Sequence, residues 1–219
     1  MRVRSLATGD AVSRGRVVLA VSLDIANAFN TLPWSCIREA LRYHRVPTYL
    51  RRVVEAYLTD RAVIYPGRQG EWIRREMSCG VPQGSVLGPL LWNIGYDWVL
   101  RTDLPSGVSV VCYADDTLVL AHGGSHQAAV DAATIGVATV VERIRQLGLE
   151  VALHKSKAMC FHGRGNAPPP GLQITAGGVH IGVGSTMKYL GLVLDSRWNF
   201  KEHIRLLAPR DSQLTIYLT

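Results

Sequence analysis

The sequence lacks any long hydrophobic run. Although 47% of its 219 residues are hydrophobic, no apolar stretch approaches the roughly 18 residues needed to span a bilayer. Residues 1–10 also lack the charged and apolar regions of a signal peptide, so export is not expected. With 21 glycines and 10 prolines, close to average usage, the chain is neither collagen-like nor of low complexity. These absences indicate an intracellular globular protein, long enough to bury a core as one domain or slightly more.

Cysteine is scarce, and its spacing predicts neither a disulfide framework nor a metal site. The four cysteines lie far apart in apolar segments without a Cys-x-x-Cys pair, which is typical of reduced thiols in an intracellular protein. His122 and His126 have helical spacing, but Gly123-Gly124-Ser125 lies between them, where no helix is expected. These residues therefore do not predict a zinc site.

Lysine is also scarce, at four residues against 20 arginines. The chain carries a net charge of +7, and nine of the arginines lie between Arg38 and Arg75 against four acidic residues. Guanidinium groups bind phosphate with two hydrogen bonds, so this bias favours a polyanionic partner such as nucleic acid. A solvated helix face in an arginine-rich sequence explains the same charge equally well, and charge alone leaves both interpretations open.

Apolar and alternating patterns predict strands that place three aspartates at strand ends. The apolar run Val17-Val18-Leu19-Ala20-Val21 is typical of a strand buried on both faces, and Asp24 follows this strand over residues 16–23 directly. A hairpin is predicted over residues 108–121, with Ala114-Asp115-Asp116 at its turn. Further strands are predicted over residues 151–161 and 188–194, hairpins over 62–77 and 172–181, and helices over 33–43, 47–58, 85–100 and 125–147.

Three carboxylates converge if these strands are neighbours in one sheet. Repulsion between two such charges near 4 Å is on the order of 4 kcal/mol at an effective dielectric of about 20, so such a cluster needs a cation or bound protons. Mg²⁺ prefers carboxylate, water and phosphate oxygens, and two such ions about 3.5–4 Å apart promote phosphoryl transfer. The alternative is structural, with Asp115 and Asp116 in an exposed turn and Asp24 capping a strand.

Five motifs, in order along the chain, resemble those of a known enzyme family. They are Ser22-Leu23-Asp24-Ile25-Ala26-Asn27-Ala28-Phe29, Gly80-Val81-Pro82-Gln83-Gly84-Ser85, Tyr113-Ala114-Asp115-Asp116, Gly148-Leu149 with Lys155, and Lys188-Tyr189-Leu190-Gly191. With them the sequence resembles the reverse transcriptases, most closely those of LINE-like non-LTR retrotransposons, from about Val17 to His203. The ordered set is far more specific than any one of its motifs.

The resemblance implies an α+β fold, the palm of a polymerase, in which an antiparallel sheet is backed by helices. Residues 1–194 are then the palm with partial fingers elements, and residues 195–219 begin the thumb or connection. Only 23 residues precede Asp24, so the fingers would be largely missing. A fragment of this extent could bind substrate too poorly to polymerise alone.

The resemblance also implies the residues of the catalytic site. Asp24, Asp115 and Asp116 would be catalytic and would hold two Mg²⁺ ions, with Mn²⁺ as a substitute. Lys155 matches the lysine proposed to protonate the departing pyrophosphate. Lys157 offers the same charge on the same predicted strand face, so the choice between the two lysines stays open.

Further matches imply residues that bind substrate. Phe29 matches the aromatic residue beneath the incoming sugar that excludes a 2′-hydroxyl. Gln83 would position the template and the incoming nucleotide, and Gly84 would let the backbone approach the nucleic acid closely; the alternative for Gln83 is an exposed amide in a loop that enters a helix. Ala114 would lie beside the primer end, whereas Tyr113 is expected to pack in the hairpin. The primer grip would consist of Lys188, Tyr189, Leu190 and Gly191. Packing is the alternative role for Phe29, Tyr189 and Leu190, and for Phe29 the two roles are compatible because the ring needs support.

The expected activity is RNA-directed DNA polymerisation, by two-metal nucleotidyl transfer from a dNTP to a primer 3′-hydroxyl. The implied partners are an RNA template, a DNA primer and dNTPs, with no membrane, and the lifestyle of such elements implies the nucleus. The oligomeric state is not indicated. The alternative belongs to a different class of function: a catalytically silent palm remnant that binds RNA or RNA/DNA duplex through its arginines.

Overall fold

The structure, a computed structural model, describes residues 16–163 and 165–211 of the chain. Its strands are β1 (Val17–Leu23), β2 (Ala62–Pro66), β3 (Trp72–Glu76), β4 (Val108–Tyr113), β5 (Asp116–Gly123), β6 (Lys157–Phe161), β7 (Gln173–Ala176), β8 (Val179–Gly184), β9 (Thr186–Tyr189) and β10 (Leu192–Asp195). Its helices are α1 (Ala28–Thr31), α2 (Trp34–Tyr43), α3 (Thr48–Leu58), α4 (Gly88–Leu100), α5 (His126–Gln146) and α6 (Lys201–Asp211), and a 3₁₀ turn covers Leu153–Lys155.

These elements divide into two compact units. The sheet unit comprises the described residues up to Asp24, Asp103–Val140 and Ala152 onwards, and the helical unit comprises Ile25–Thr102 and Val141–Val151. The sheet unit holds a six-stranded sheet of order β4-β5-β1-β6-β8-β7 and the β9–β10 hairpin. The helical unit holds α1 to α4 and the β2–β3 hairpin.

Strand β1 lies between β5 and β6 and pairs antiparallel with both. The run Val17–Val21 is fully buried, as its apolar pattern predicts for a strand covered on both faces. One face of β1 joins a core cluster that also takes side chains from β5, β6, β9 and β10. The Trp198 ring stacks on Phe161 with 4.8 Å between ring centroids, so the residues after β10 also close this core.

Helix α5 packs against the edge strand β4. Gly136 approaches Val108 so closely that a Cβ at position 136 would lie 2.6 Å from the valine side chain. The helix begins where the sequence predicts, because the Ser125 Oγ accepts a hydrogen bond from the Ala128 N–H at 3.2 Å. The approach of α5 to β4 therefore depends on a small residue in the middle of the helix.

Helices in the helical unit follow the predicted boundary signals. Pro33 and Pro47 directly precede α2 and α3, as expected for a residue with a fixed φ and no N–H. Helix α4 begins at Gly88, three residues later than predicted. The reason is local, because the Ser85 Oγ accepts the Gly88 N–H at 2.9 Å and so caps the helix from outside it.

The main sheet is mixed rather than wholly antiparallel, because β6 and β8 run parallel. The strand predicted over residues 151–161 is also wrong in its first half, where Val151 makes only an isolated bridge and a 3₁₀ turn precedes β6. The Ala152 N–H donates to the Asp24 carbonyl at 2.8 Å, and the Lys155 N–H donates back to the Ala152 carbonyl at 2.9 Å. These bonds turn the chain without a glycine or proline that a sequence pattern could reveal.

The strand predicted over residues 188–194 is wrong, because this segment contains the turn of the β9–β10 hairpin. Tyr189 lies opposite Leu192, so Leu190 and Gly191 form the turn, with φ angles of 48° and 79°. Glycine adopts such a conformation without steric cost. The predicted primer-grip residues therefore lie at a turn rather than along one continuous strand.

Two further properties concern the chain as a whole. Within residues 16–163 and 165–211, none of the helices combines the length and the hydrophobicity that a membrane crossing requires. All four cysteines fall in the described residues and are free thiols. Burial raises the pKa of Cys112 and of Cys160 to about 11, so both thiols stay protonated at neutral pH.

We expect Gly80→Ala to destabilise the fold far more than Gly84→Ala. Both glycines have a positive φ, 85° and 79°, which costs an alanine about 1 kcal/mol. A Cβ at position 80 would also lie 2.8 Å from the Asn30 carbonyl oxygen, whereas one at position 84 meets nothing within 4 Å. Urea denaturation should show losses of roughly 3 and 1 kcal/mol in the free energy of unfolding. Equal losses would contradict the close approach at Gly80.

Candidate active site

The pairing register of β1 brings two of the predicted catalytic aspartates together. Leu23 lies opposite Thr117 in the β1–β5 ladder, so Asp24 and Asp116 are the next residues outward on the two strands. Directly opposed residues in antiparallel strands have Cβ atoms roughly 4.5–5.5 Å apart. Two acids from distant parts of the sequence therefore share one edge of the main sheet.

The β4–β5 hairpin positions the third aspartate. Tyr113 pairs with Asp116, so the turn consists of Ala114 and Asp115 alone, and Asp116 is the first residue of β5 rather than part of the tip. The Thr117 hydroxyl donates to the Asp115 carbonyl at 3.3 Å, and Ala114 has a φ of 53°, which is uncommon for alanine. Tyr113 is 67% exposed, so the prediction that it packs in the hairpin is wrong.

A cavity of about 270 Å³, here called the carboxylate cavity, lies at this edge of the sheet unit. Its lining includes Asp24 and Asp116 but not Asp115. Three of the four lysines in the chain line it, and no arginine of the described residues does. The lining residues are Ser22, Leu23, Asp24, Asp116, Lys155, Lys157, Lys188, Leu190 and Gly191.

Lys155 is the lysine that contacts a carboxylate. Its Nζ lies 3.9 Å from Asp24 Oδ2, and both side chains are more than half exposed. Lys157 does not share a strand face with Lys155 as predicted, because Lys155 belongs to the 3₁₀ turn and Lys157 is the first residue of β6, opposite Ser22. An exposed ion pair adds little to stability. The contact therefore places the Lys155 ammonium group beside Asp24 but adds little to the stability of the fold.

Negative charge accumulates around Asp116. Desolvation by partial burial raises the pKa of its carboxyl group, and the charges of Asp115 and Asp24 raise that pKa further. A divalent cation on these carboxylates would remove the repulsion. Carboxylate oxygens are also among the ligands that Mg²⁺ prefers. Across the part of the chain that is described, no group of three or more His, Cys, Asp or Glu side chains is arranged to hold a metal ion. Asp24 and Asp116, which share the cavity, are therefore the candidate ligands.

The predicted primer-grip residues divide between the cavity and the core. Lys188, Leu190 and Gly191 line the carboxylate cavity, and Leu190 is 44% exposed. Tyr189 is instead buried in the core of the sheet unit, where burial, followed by the charges of Asp116 and Cys112, raises its pKa to about 12. Its hydroxyl has no hydrogen-bond partner among the described residues. The packing role considered for both residues thus fits Tyr189 but not Leu190.

Phe29 and the predicted glutamine loop belong to the helical unit, where backbone hydrogen bonding joins them. The Val81 N–H donates to the Phe29 carbonyl at 2.6 Å. The Phe29 ring is half-buried and packs on Trp92 with 4.8 Å between ring centroids. Gln83 and Gly84 are exposed. Phe29 therefore has the packing role considered for it, and the polar end of the loop is accessible to a ligand.

Sequence reasoning missed the grouping of the lysines around the carboxylates. Lys188 was predicted only as part of a primer grip, whereas it lines the same cavity as Lys155 and Lys157. Composition held a usable signal, since only four lysines occur in the chain and three of them fall in the predicted motifs or beside them. The spacing along the sequence could not show that the three meet.

Comparison with known proteins identifies the family. The family model for reverse transcriptase (RNA-dependent DNA polymerase) matches residues 3–194, which include every candidate site residue described above. The chain therefore belongs to the reverse transcriptase family, as its motifs predict.

Curated relatives narrow the kind of reverse transcriptase. The chain is 26% identical over 200 residues to the retrovirus-related Pol polyprotein from type-1 retrotransposable element R1 of Bradysia coprophila. Over 203 residues it is 30% identical to the probable RNA-directed DNA polymerase from transposon BS, and over 211 residues 28% identical to the RNA-directed DNA polymerase from mobile element jockey, both of Drosophila melanogaster. The matches cover 87–90% of this chain but only 19–21% of the relatives. The chain thus spans about a fifth of their length, and the predicted likeness to LINE-like elements is confirmed.

The fold is similar to that of telomerase. Apo telomerase of Candida tropicalis, truncated from the C-terminal domain, matches with a TM-score of 0.59 at 13% identity, over 89% of this chain and 36% of that chain. Telomerase of the same organism in complex with a TWJ fragment of telomeric RNA matches with a TM-score of 0.57 at 11% identity, over 89% of this chain and 30% of that chain. At these identities the likeness concerns the fold alone, and it confirms the predicted α+β palm.

We expect Asp116→Asn to raise the thermal midpoint of unfolding, increasingly so as the pH rises. Because the pKa of this carboxyl is raised in the folded chain, the folded chain holds the proton more tightly than the unfolded chain. Ionising Asp116 therefore costs stability above its ordinary pKa of about 4. In metal-free, low-salt buffer, the difference between variant and wild type should grow as the pH rises from about 4 toward neutrality.

The matched control is Asp131→Asn, which removes an exposed carboxylate from α5 and should not diverge from the wild type in this way. Added Mg²⁺ should narrow the gap by stabilising the wild type more than Asp116→Asn. A loss of stability in Asp116→Asn that is the same at every pH would contradict the electrostatic account.

Proposed function

We propose that this chain catalyses RNA-directed DNA synthesis, the addition of deoxynucleotides to a DNA primer on an RNA template. The observation that carries the proposal is the cavity shared by Asp24, Asp116 and Lys155. Two carboxylates can bind the cation that accompanies a triphosphate, and an amine can protonate the group that leaves. The names of the relatives favour this function over a catalytically silent remnant that only binds RNA.

Asp24 and Asp116 would hold the metal, and Asp115 on the adjacent turn would supply a further oxygen. A bound cation would relieve the repulsion at Asp116, whose pKa is raised by burial and by both neighbouring acids. When bound, Mg²⁺ supplies positive charge that lowers the pKa of the primer hydroxyl and screens the reacting phosphate. Mn²⁺ accepts the same oxygen ligands.

In the reaction, the primer 3′-oxygen forms a bond to the α-phosphorus of a dNTP, and the bond from that phosphorus to pyrophosphate breaks. The hydroxyl proton passes to solvent, and Lys155 donates a proton to the departing pyrophosphate. Lysine suits this step because its ammonium group can lose a proton, whereas the arginine guanidinium stays charged. Lys157 and Lys188 line the same cavity and would attract the phosphates electrostatically.

Phe29 and the glutamine loop would select and position the nucleotide. The Phe29 ring would place bulk where a 2′-hydroxyl would lie, and its packing on Trp92 would keep it in place. Gln83 would hydrogen-bond the template or the incoming nucleotide. Gly84 would let nucleic acid approach, since a Cβ there meets nothing within 4 Å. Ala114, on the hairpin turn, would lie beside the primer end.

The β9–β10 turn would hold the 3′ end of the primer at the carboxylate cavity. Leu190 and Gly191 line the cavity, where Gly191 offers only backbone atoms, and Lys188 adds a positive charge for a primer phosphate. Tyr189 would act indirectly, by anchoring the turn in the core. Backbone contacts suit this task because they do not depend on the primer sequence.

The substrates and setting follow from the same proposal. Arginine, which supplies 20 of the 24 basic residues of the chain, would bind the template–primer duplex through its phosphates. An RNA template, a DNA primer and dNTPs are thus the proposed partners. Action at chromosomal DNA in the nucleus is proposed by analogy with the transposable elements among the relatives. The division into a palm over residues 1–194 and the start of a thumb over 195–219 stays a prediction.

We expect Asp24→Asn and Asp116→Asn each to abolish addition of a single deoxynucleotide to a DNA primer annealed to RNA. Each replacement removes one carboxylate charge from the cavity with little change in size. The expected loss in rate is on the order of 1,000-fold, measured by gel in the presence of Mg²⁺. Lys155→Ala should slow the reaction by roughly 100-fold, as for a general acid.

Asp131→Asn removes an equal charge elsewhere and should keep the wild-type rate. Substantial extension by Asp24→Asn would contradict the proposal. Tight binding of template and primer by the wild type, without any extension, would favour the silent remnant instead.

Phe29→Val should reduce discrimination against ribonucleotides. The smaller side chain leaves room for a 2′-hydroxyl, so the ratio of kcat/KM for a dNTP to that for the matching ribonucleotide should fall about tenfold or more, equivalent to roughly 1.4 kcal/mol. Single-nucleotide addition with each substrate measures this ratio. If both values fall equally, the ring only supports the fold.

A further inference from the structure

A second cavity, also of about 270 Å³ and here called the basic cavity, lies in the sheet unit against β8. Its lining contains no aspartate or glutamate of residues 16–163 and 165–211, unlike that of the carboxylate cavity. Lys157 lines both cavities. The other polar side chains of the basic cavity are neutral or cationic: His154, Ser156, His180 and Thr186.

Strand β8 forms one side of the basic cavity, here called its floor, and this floor carries few side chains. His180, Gly182 and Gly184 occupy alternate positions of the strand and share its exposed face. A Cβ at position 182 would meet nothing within 4 Å. Strand β6, which begins at Lys157, pairs in parallel with β8 and brings this lysine to the edge of the floor.

The walls carry hydrogen-bonding groups that the fold leaves available. The Ser156 Oγ is buried and lacks a hydrogen-bond partner within the described residues, which costs free energy unless a ligand pairs with it. His180 Nδ1 is bonded to Thr175 Oγ1 at 3.0 Å, so its Nε2 remains for a ligand. His154 is exposed at the rim. A ligand rich in acceptor oxygens would pair with the two histidines, and the Ser156 hydroxyl would reach it once its side chain rotates out of burial.

We propose that the basic cavity binds a phosphate group. A phosphate brings negative charge to Lys157 and acceptor oxygens to Ser156 and the two imidazoles. The glycine floor admits a tetrahedral group close to the backbone. Two sources carry this chemistry, a free oligophosphate and the backbone of a nucleic-acid strand. The inference goes beyond polymerisation and needs neither Asp24 nor Asp116.

The test titrates inorganic pyrophosphate, and separately a short single-stranded DNA, into the full chain by isothermal calorimetry. EDTA is present throughout, so that no metal contributes to binding. Gly182→Asp places a carboxylate on the floor, where the structure has room for it. The control Gly182→Asn has nearly the same size without the charge, and Ala138→Asp adds the same charge at an exposed position of α5 outside the cavity.

Gly182→Asp should weaken binding by about tenfold or more, because like charges at short range repel strongly. Gly182→Asn and Ala138→Asp should stay within about threefold of the wild type. Loss of pyrophosphate binding identifies a free oligophosphate as the source, and loss of DNA binding alone identifies the nucleic-acid backbone. Either result supports the phosphate site.

Unchanged binding of both probes in Gly182→Asp, or an equal loss in either control, would overturn the proposal. His154→Asp, at an exposed position that lines the basic cavity but not the carboxylate cavity, gives an independent loss if Gly182→Asp does not fold, and normal binding by it would also overturn the proposal. Asp24→Asn should bind pyrophosphate at least as tightly as the wild type. A failure of the phosphate site is therefore distinguishable from a failure of the polymerase proposal.

Discussion

The pairing of β1 with β5 and β6 is the constraint on which the candidate site depends. The ladder carries Asp24 to the edge of the sheet beside Asp116 on one side, and beside Lys155 on the other. A slip of one residue would move every side chain of β1 to the opposite face. A slip that carried Asp24, which is exposed, into the position of Leu23, which is buried, would bury a charge at a cost in free energy. The apolar core of the sheet unit therefore also fixes the geometry of its charged edge.

The positive charges of the chain differ in chemical type as well as in position. Arginine supplies most of the positive charge, yet the carboxylate cavity is lined by lysines. A guanidinium holds phosphate firmly but cannot release a proton, whereas an ammonium group can. Partial burial raises the pKa of Asp116, and repulsion from Asp115 and Asp24 at the same edge raises it further. Such local conflict is expected where a site serves a ligand rather than the stability of the fold.

Local signals in the sequence predicted the elements that carry the site residues. They could not predict which strands, distant in the sequence, pair with one another. The apolar run before Asp24 and the turn at Ala114-Asp115-Asp116 are short patterns. The first predicted the end of β1 correctly, whereas the second included Asp116 in the turn although this residue begins β5. The register that sets these residues side by side depends on strands far apart in sequence, which a pattern cannot align. The bond from the Ala152 N–H to the Asp24 carbonyl likewise creates the 3₁₀ turn at Lys155 from outside that segment.

The β9–β10 turn is a second feature that the sequence pattern failed to predict, although it lies within one short segment. Its Leu190 has a positive φ, although leucine carries no turn signal, so the segment resembled one strand. Because of that turn, the Tyr189 side chain lies in the core, whereas Leu190 lines the carboxylate cavity. Family motifs named both residues but could not separate packing from contact with a ligand.

The central claim is that Asp24 and Asp116 together hold a divalent cation. Anomalous diffraction from a crystal of the chain soaked in Mn²⁺ tests it most directly, because manganese is located independently of any assumed ligand. The account predicts a peak within bonding distance of carboxylate oxygens from both residues, absent in crystals of Asp24→Asn. Manganese bound only at other carboxylates, with these two side chains unligated, would contradict it.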